Sequence, residues 1–593
     1  MNDHRTTTLD KTTRLGLIAL AVIQGLALLI LHLAIEHEHW LAADPRWLKA
    51  LYTVALALPA FYLLGMVQLR DRLNALALLL APLLFWMGWH LGWAEQALEP
   101  WEQHSFTFSF GAALAVALFI LALFFRSSAA CKGWPTRYLP LLSLAWELAL
   151  TLLLLGLFMG VFWSLLWLGA ALFAAIGLSV FDTLFGKPAF VYPVTGLVVG
   201  LALVMIRSRY RLIQSVRQMG EALIKALLPL VALIIVLFFA VLPFTGLQPV
   251  WDTGRASSIL MTLMLTLLLF FNVVFHEPHA PAPYPAWLGR LILLAVALLP
   301  VGSVLAAWAL WLRIDQYGLS LDRLWAALLQ ALTAAFTLSY SLLLLWRRGS
   351  ALQSLQRANI LLALLVAGAL MLVNTPLVDM RHWVAQHQIK RLMEGRTAVD
   401  TFDVNYLRFQ LGQPGVLALQ ALEDSEFAEA HPALSRRITL SLRQAERWSP
   451  EPLVDADDLG EVAQQFNVRS ENAVLPEALL TLLAGQTSTC LSQVEPCQAV
   501  QPSGEAAFQW LIYEPYNTAG QAYAVLEGDW QHIGTLSPLG GTQAQHDLAC
   551  QTVQLPEDLQ RLPEVVNVYQ GGNCLYSLQP TLESVRQRLS IRK

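Results

Sequence analysis

Apolar residues run almost back to back as far as about residue 376, in blocks that match the ~20 residues a helix needs to cross a bilayer core. The blocks fall at 15–35, 48–67, 73–94, 106–125, a long one from 139, 190–206, 222–244, 257–275, 288–312, 324–346 and 358–376, which predicts about eleven crossings. The first block follows Arg5, Lys11 and Arg14, as the core of a signal peptide would. It exceeds the ~7–15 residues of such a core, and no small-residue cleavage pattern precedes Glu36, so it reads as a retained span with a cytoplasmic N-terminus. The nearly uncharged stretch from Tyr138 to Gly177 would reach ~60 Å as one helix, twice a hydrocarbon core. Two spans there would invert every later loop. One crossing is expected instead, followed by an interfacial or re-entrant piece through Phe181, Asp182, Phe185 and Lys187.

Beyond residue 376 the pattern changes. Helical periodicity covers His382 to Glu394, Val416 to Leu422, Leu434 to Trp448 and Glu477 to Leu483. Short apolar or aromatic runs follow at Phe508 to Tyr513, Ala522 to Leu526, Trp530 to Ile533 and Val565 to Tyr569, separated by Asn517, Gly520, Gly528 and Gly571 with Gly572. Such runs predict an antiparallel sheet, and an amphipathic helix from Leu582 to Leu589 closes the chain. The expected fold class is an all-α polytopic membrane domain of about eleven transmembrane helices over 1–376, followed by a C-terminal α+β extracytoplasmic domain over 377–593. The latter is helical in 381–485 and contains the sheet in 506–593.

Composition agrees: 56% of residues are hydrophobic and 13% charged, against ~45–50% and ~25% in soluble domains, which excludes an ordinary soluble enzyme and a disordered chain. The net charge of −4 averages two unlike pieces, because residues 381–593 hold 15 basic and 25 acidic residues while residues 1–380 hold 23 and 17. No basic block follows a phosphate backbone, so nucleic acid is not an expected partner; membrane lipids and a periplasmic protein are. With the N-terminus inside, 17 Lys and Arg fall in inner segments and 6 in outer ones, the bias that orients bacterial inner-membrane proteins. An odd number of spans then places the C-terminal domain in the periplasm. Cys490, Cys497, Cys550 and Cys574 all lie there, an even set in an oxidising compartment, and the sequence-local pairing of 490 with 497 and 550 with 574 is expected. The spacings lack the tight knuckle of a zinc site.

No Walker loop, dinucleotide fingerprint, HExxH or GxSxG occurs, which favours a non-enzymatic reading, and no cofactor is expected. Three groups carry candidate chemistry. If the first helix continued, His32, Glu36 and His39 would fall within about 60° of one another and offer a weak metal site; a helix end entering headgroups and water is the preferred reading. Glu147 lies ~15 Å beyond Arg137 and near the midplane, with no basic residue expected at its depth, so it is a candidate for proton coupling or a hydrogen-bonded structural acid. Three outer segments then carry Asp182, Lys187 and Tyr192; Trp251, Asp252 and Arg255; and Arg313, Asp315, Gln316, Tyr317, Asp322 and Arg323. Together these could bind an anionic headgroup or dock the tail, and ion-paired loop ends are the plainer reading.

The segments FDTLFGKPAFVYPVTGL (181–197), LPFTGLQPVWDTG (242–254), PYPAWLGRL (283–291) and LRIDQYGLSLDRLW (312–325) resemble, in order and spacing, the bacterial polytopic membrane proteins of domain-of-unknown-function family 4153. The resemblance covers roughly 140–380, with QYGL followed by Arg323 its most distinctive part. Ser320 stands where the pattern has Thr, and Glu147 where it has a neutral amide. It implies a Gram-negative inner-membrane protein and brings no substrate or catalytic residue. Three functions remain in view: a non-enzymatic envelope protein presenting its periplasmic domain to a partner or ligand, a transporter or lipid-handling protein with an outer-leaflet polar site, and a lipid-linked glycan or headgroup transferase. The first is preferred on the large cysteine-bearing tail.

Overall fold

A computed structural model of the protein describes residues 10–98, 100–131, 138–248, 255–276, 283–346, 351–444, 447, 453–470, 473–485, 489–502, 508–515, 517, 519–526, 528–538, 560–561, 568–571 and 574–580. Among them, eleven helical segments are long and apolar enough to cross a membrane. They contain α1 (Lys11–Glu36), α2 (Pro45–Gly65), α3 (Leu80–Ala94), α4 (Pro100–Cys131), α5 (Tyr138–Ala175), α6 (Pro188–Ser208), α7 (Tyr210–Thr245), α8 (Ala256–Val274), α9 (Ala286–Tyr317), α10 (Leu321–Trp346) and α11 (Ala351–Leu372). Every apolar block of the sequence falls on one of these helices. Several helices outrun their blocks, because a backbone in lipid keeps its hydrogen bonds internal until it reaches water. The block at 73–94 is divided into a short helix, Arg72–Ala77, and α3.

The long uncharged stretch is one unbroken helix. α5 runs 38 residues, ~57 Å at helical rise, so nothing before Ala175 turns back. The expected interfacial or re-entrant piece shrinks to a single short helix, Val180–Gly186. Gly177, at φ 87°, ends the helix before it, and Pro188 opens α6 after it.

Two features hold these helices together without a hydrophobic driving force, which lipid does not supply. One is small residues one helical turn apart. A Cβ at Gly196 or Gly200 of α6 would collide with the backbone of α1 at Ala21 and Ile18, and one at Gly88 or Gly92 of α3 with the backbone of α2 around Ala50 and Pro45. The other is side chains that serve broken helices. A proline inside a helix frees the carbonyl four residues before it. Pro59 frees that of Ala55, which accepts from Gln24 Nε2 of α1 at 3.2 Å. Pro229 frees that of Lys225, which accepts from the Tyr284 hydroxyl at 2.6 Å. Pro300 frees that of Val296, which accepts from the Ser341 hydroxyl of α10 at 2.9 Å. Nearby, the fully buried Tyr340 hydroxyl lies 2.5 Å from Asn272 Oδ1 and 2.8 Å from Asn359 Oδ1, joining α10 to α8 and α11.

By compactness the chain divides into unit 1, residues 1–397 with 410–418, and unit 2, residues 398–409 with 419–593. Helix α12 (Met380–Met393), which the sequence reading places at the start of the tail, therefore groups with the membrane helices. The expected tail helices are present as α12, α13 (Gln413–Glu423), α14 (Pro432–Arg443) and α15 (Glu477–Gly485), with α14 ending short of Trp448. Unit 2 holds a sheet of strands β1 (Phe466–Val468), β2 (Cys497–Val500), β3 (Trp510–Tyr513), β4 (Gly520–Leu526), β5 (Asp529–Pro538), β6 (Gln560–Arg561), β7 (Val568–Gly571) and β8 (Cys574–Pro580), in spatial order 1-2-3-4-5-8-7-6.

The sheet thus begins 40 residues before the expected 506, and β1 pairs with β2 in parallel, whereas the other neighbours are antiparallel. The sequence reading missed β1 because three residues are too few to show alternation. β3 is buried on both faces. Trp510 and Ile512 pack with Leu479 and Leu483 of α15, and Leu511 and Tyr513 pack with Ile533 and Leu536. The expected Cys490–Cys497 disulfide forms, with Cα atoms 5.5 Å apart. The expected Cys550–Cys574 bridge and the helix at 582–589 lie outside the described residues.

If Ser341 serves the carbonyl freed by Pro300, Ser341→Ala costs about 0.5–1.5 kcal/mol in the native background and close to nothing once Pro300→Ala restores the backbone bond. A double-mutant cycle on unfolding in mixed micelles reads this, and equal losses in both backgrounds would refute it.

Candidate functional site

The most developed polar site of unit 1 lies where α3 ends and α12 begins. Gly88 and Gly92 set one face of α3 against α2; His90, two residues from each, lies on the opposite face. There its Nε2 is 3.5 Å from Asp379 Oδ2. Asp379 is fixed because it caps α12, its Oδ1 accepting from the backbone N–H groups of Arg381 at 2.9 Å and His382 at 3.3 Å. The Arg381 side chain turns onto α4, its guanidinium carbon 4.3 Å from the Phe106 ring centroid. Arg381 Nε is buried without a hydrogen-bond partner, and among the described residues the guanidinium forms no ion pair. Burial pushes the Arg381 pKa down, while Asp379 and Glu95 oppose that shift.

These groups line a recess of about 40 Å³, closed by Ser109 and Asn374. The Asn374 amide donates to the Leu370 carbonyl at 2.7 Å, leaving its oxygen to face other donors. An open groove of about 470 Å³ shares His90 and Asp379 with the recess and is walled by Trp86, Trp89, Trp93 and Trp383. Arg46 of α2 lies 5.3 Å from the Trp89 ring. Beside the site, Lys49 Nζ is 2.8 Å from buried Glu95 and donates to Thr107 at 2.7 Å, so this acid at the end of α3 is neutralised locally.

The site residues expected from sequence are placed less simply. The metal trio does not assemble, because α1 stops at Glu36: Glu38 takes φ 48°, and the His39 N–H returns to the Ala34 carbonyl at 2.9 Å in a helix-ending turn. His39 instead faces the start of the next short helix, and His32 lies 3.4 Å from the Tyr192 hydroxyl. Among the described residues no group of three His, Cys, Asp or Glu is arranged to hold a metal ion.

The three outer segments do not merge into one ion-paired cluster. Trp251 and Asp252 lie outside the described residues, Arg255 stands at the start of α8, Asp182 forms no ion pair with Arg313 or Arg323, and Lys187 forms none with Asp315 or Asp322. The third segment holds α12 instead. Arg391 donates to the Asp315 and Gln316 carbonyls at 2.9 and 3.3 Å, capping the C-terminus of α9 with positive charge. Gln388 donates to the Leu319 carbonyl at 2.5 Å, and the Leu319 N–H donates to His387 Nδ1 at 3.3 Å. Burial, with Arg391 and Arg396 nearby, holds the His387 imidazole below its usual range and so keeps that acceptor neutral. Arg323 lies 5.4 Å from the Tyr317 ring and donates to the Gly318 carbonyl at 2.6 Å. Gly318 itself has φ 77°, and a Cβ there would press on Gln388 and Arg391. The QYGL motif and its arginine are thus a clamp for one helix.

Glu147 has a basic neighbour after all. Arg126 Nη2 lies 2.5 Å from its carboxylate. The apolar block ends at 125, which by itself puts Arg126 in a loop, but α4 continues to Cys131 and brings it alongside. Arg207 is near enough to feel both charges, and donates to the Leu63 and Met66 carbonyls at the end of α2, at 3.3 and 2.9 Å.

His90, Asp379 and Arg381 escaped the sequence reading as a set because 289 positions separate the first two. The G88xxxG92 spacing and an Asp immediately before a helix were the available signals.

Glu147→Gln is expected to cost about 3 kcal/mol, the lower end of what breaking a buried pair costs, read as a lowered unfolding midpoint in detergent. Arg126→Gln in the same background should recover part of it. An unchanged midpoint for Glu147→Gln would show that the pair contributes nothing.

No curated protein and no solved structure matches this chain. A family model does match, over residues 60–422, more than half of the sequence, from α2 into α13, which takes in the expected 140–380 and extends on both sides of it. With its eleven apolar helices, this chain belongs to the family described as Domain of unknown function (DUF4153).

Proposed function

We propose that this multi-pass membrane protein is a lipid-handling protein of the bacterial inner membrane, which takes a membrane amphiphile into the groove between α3 and α12. The observation that carries this reading is the continuity of the groove with the recess: four tryptophans wall a space of about 470 Å³ that ends on His90, Asp379 and, behind them, Arg381. Tryptophan suits the membrane interface, being apolar in body and polar at one edge. Arg381, a half-buried cation with no ion pair among the described residues, suits a headgroup. The distribution of Lys and Arg supports an arrangement in which this end faces the periplasm and unit 2 lies there too, where the Cys490–Cys497 bridge would persist.

A second reading, an envelope protein that presents unit 2 to a partner, is favoured by the clamp on α12, since residues 315–319 hold the segment that leads out of the membrane helices. The two readings differ in what should be found in the groove.

A phospholipid with a photoreactive acyl chain, supplied to the full-length protein in nanodiscs, should label peptides of α3 and α12 above all other spans. Trp89→Ala with Trp383→Ala should lower that labelling several-fold. Labelling spread evenly over the helices would sink the lipid-handling reading and leave the presenting one. Orientation has its own test: alkaline phosphatase fused after Lys593 should be active, and a fluorescent cytoplasmic-type reporter there should stay dark. The opposite pattern would overturn the periplasmic placement.

A further inference from the structure

Arg381 is a cation of unit 1 that lines the recess and has no ion pair among the described residues. Several basic residues near this end are neutralised or capped: Arg46 by Asp44 at 2.8 Å, Lys49 by Glu95 at 2.8 Å, Arg391 and Arg323 by helix-end and loop carbonyls. Arg381 rests on an aromatic ring with its Nε buried and unused. A buried N–H left without an acceptor is costly, and a guanidinium fork is shaped for two oxygens of one phosphate. The only carboxylate in the recess, Asp379, spends Oδ1 on the α12 backbone and leaves Oδ2 toward His90, where an N–H donor can reach it. The Asn374 amide oxygen is a second acceptor in the same recess.

We propose that the recess recognises a zwitterionic phospholipid headgroup that carries a primary amine, its phosphate on Arg381 and its ammonium on Asp379, with one acyl chain along the tryptophan groove. This rests on reading the groove as an amphiphile site. Charge complementarity selects the occupant. Arg381 and Asp379 sum to zero, so a headgroup with phosphate alone brings a negative charge that Asp379 repels, whereas phosphate with ammonium satisfies both. A quaternary amine has no N–H to give to the carboxylate. The recess of about 40 Å³ is far smaller than the groove of about 470 Å³, so charged headgroup atoms reach into the recess while the acyl chain stays in the groove.

Native mass spectrometry of the delipidated full-length protein, titrated with phosphatidylethanolamine, phosphatidylglycerol, phosphatidylcholine and diacylglycerol of matched chains, tests this. Phosphatidylethanolamine is expected to bind about tenfold tighter than the other two phospholipids, near 1.4 kcal/mol. Arg381→Gln should reduce it to the level of diacylglycerol, and Arg381→Lys should keep part of the difference. Asp379→Asn preserves the helix cap, since Asn caps as well as Asp, and should abolish the preference over phosphatidylglycerol. Three phospholipids binding alike, or diacylglycerol binding as well as they do, would overturn the headgroup assignment while the groove reading stands, provided Trp383→Ala still weakens binding. Lipid binding indifferent to Trp383→Ala and to Arg381→Gln would overturn the groove reading and this proposal with it.

Discussion

Unit 1 depends on one constraint: a backbone polar group inside a bilayer has no water to turn to. Pro59 of α2, Pro229 of α7 and Pro300 of α9 each release a carbonyl that accepts from a side chain in another part of the chain: Gln24, Tyr284 and Ser341. The same need explains why Arg207 reaches the end of α2 and Arg391 the end of α9. Polar residues that look misplaced in an apolar sequence turn out to be partners of particular breaks. Each such bond also fixes which helix lies beside which, something apolar side chains in lipid cannot do alone.

Helix α12 shows how that constraint becomes a site. Its last turns satisfy carbonyls and an amide of the loop at 315–319, which holds the helix in place. Its first residues then project Asp379 and Arg381 beside His90 and Phe106. The distinctive family motif and the recess are two ends of one helix, so substitutions in the loop should be felt in the recess through rigid displacement. Small residues contribute on the other side, since Gly88 and Gly92 let α3 meet α2 backbone to backbone and so set His90 on the far face.

The charges divide by the same logic. Glu147 reads as isolated only while α4 is thought to stop at 125; six further residues of helix bring Arg126 to it. His32, Glu36 and His39 read as one face only while α1 is thought to continue; a left-handed residue at Glu38 dissolves the set. In both cases the chemistry inferred from sequence turned on where a helix ends, and ends depend on capping and on neighbours that no local window contains.

Hydrophobic blocks of bilayer length determined by themselves the eleven helices among the described residues that are long and apolar enough to cross a membrane, because span length and apolarity are local properties with a fixed physical scale. Alternating runs between turn residues likewise revealed β3, β4, β5 and β7, and proximity in sequence revealed the Cys490–Cys497 bridge. Only the tertiary structure decided that α12 belongs with the membrane helices, that β1 enters the sheet in parallel, that Arg126 meets Glu147, and that His90, Asp379 and Arg381 form one recess. Those pairings join residues from 21 to 291 positions apart. They exist because helices must answer one another's unmet hydrogen bonds and charges, and that reckoning can be made only across the assembled bundle.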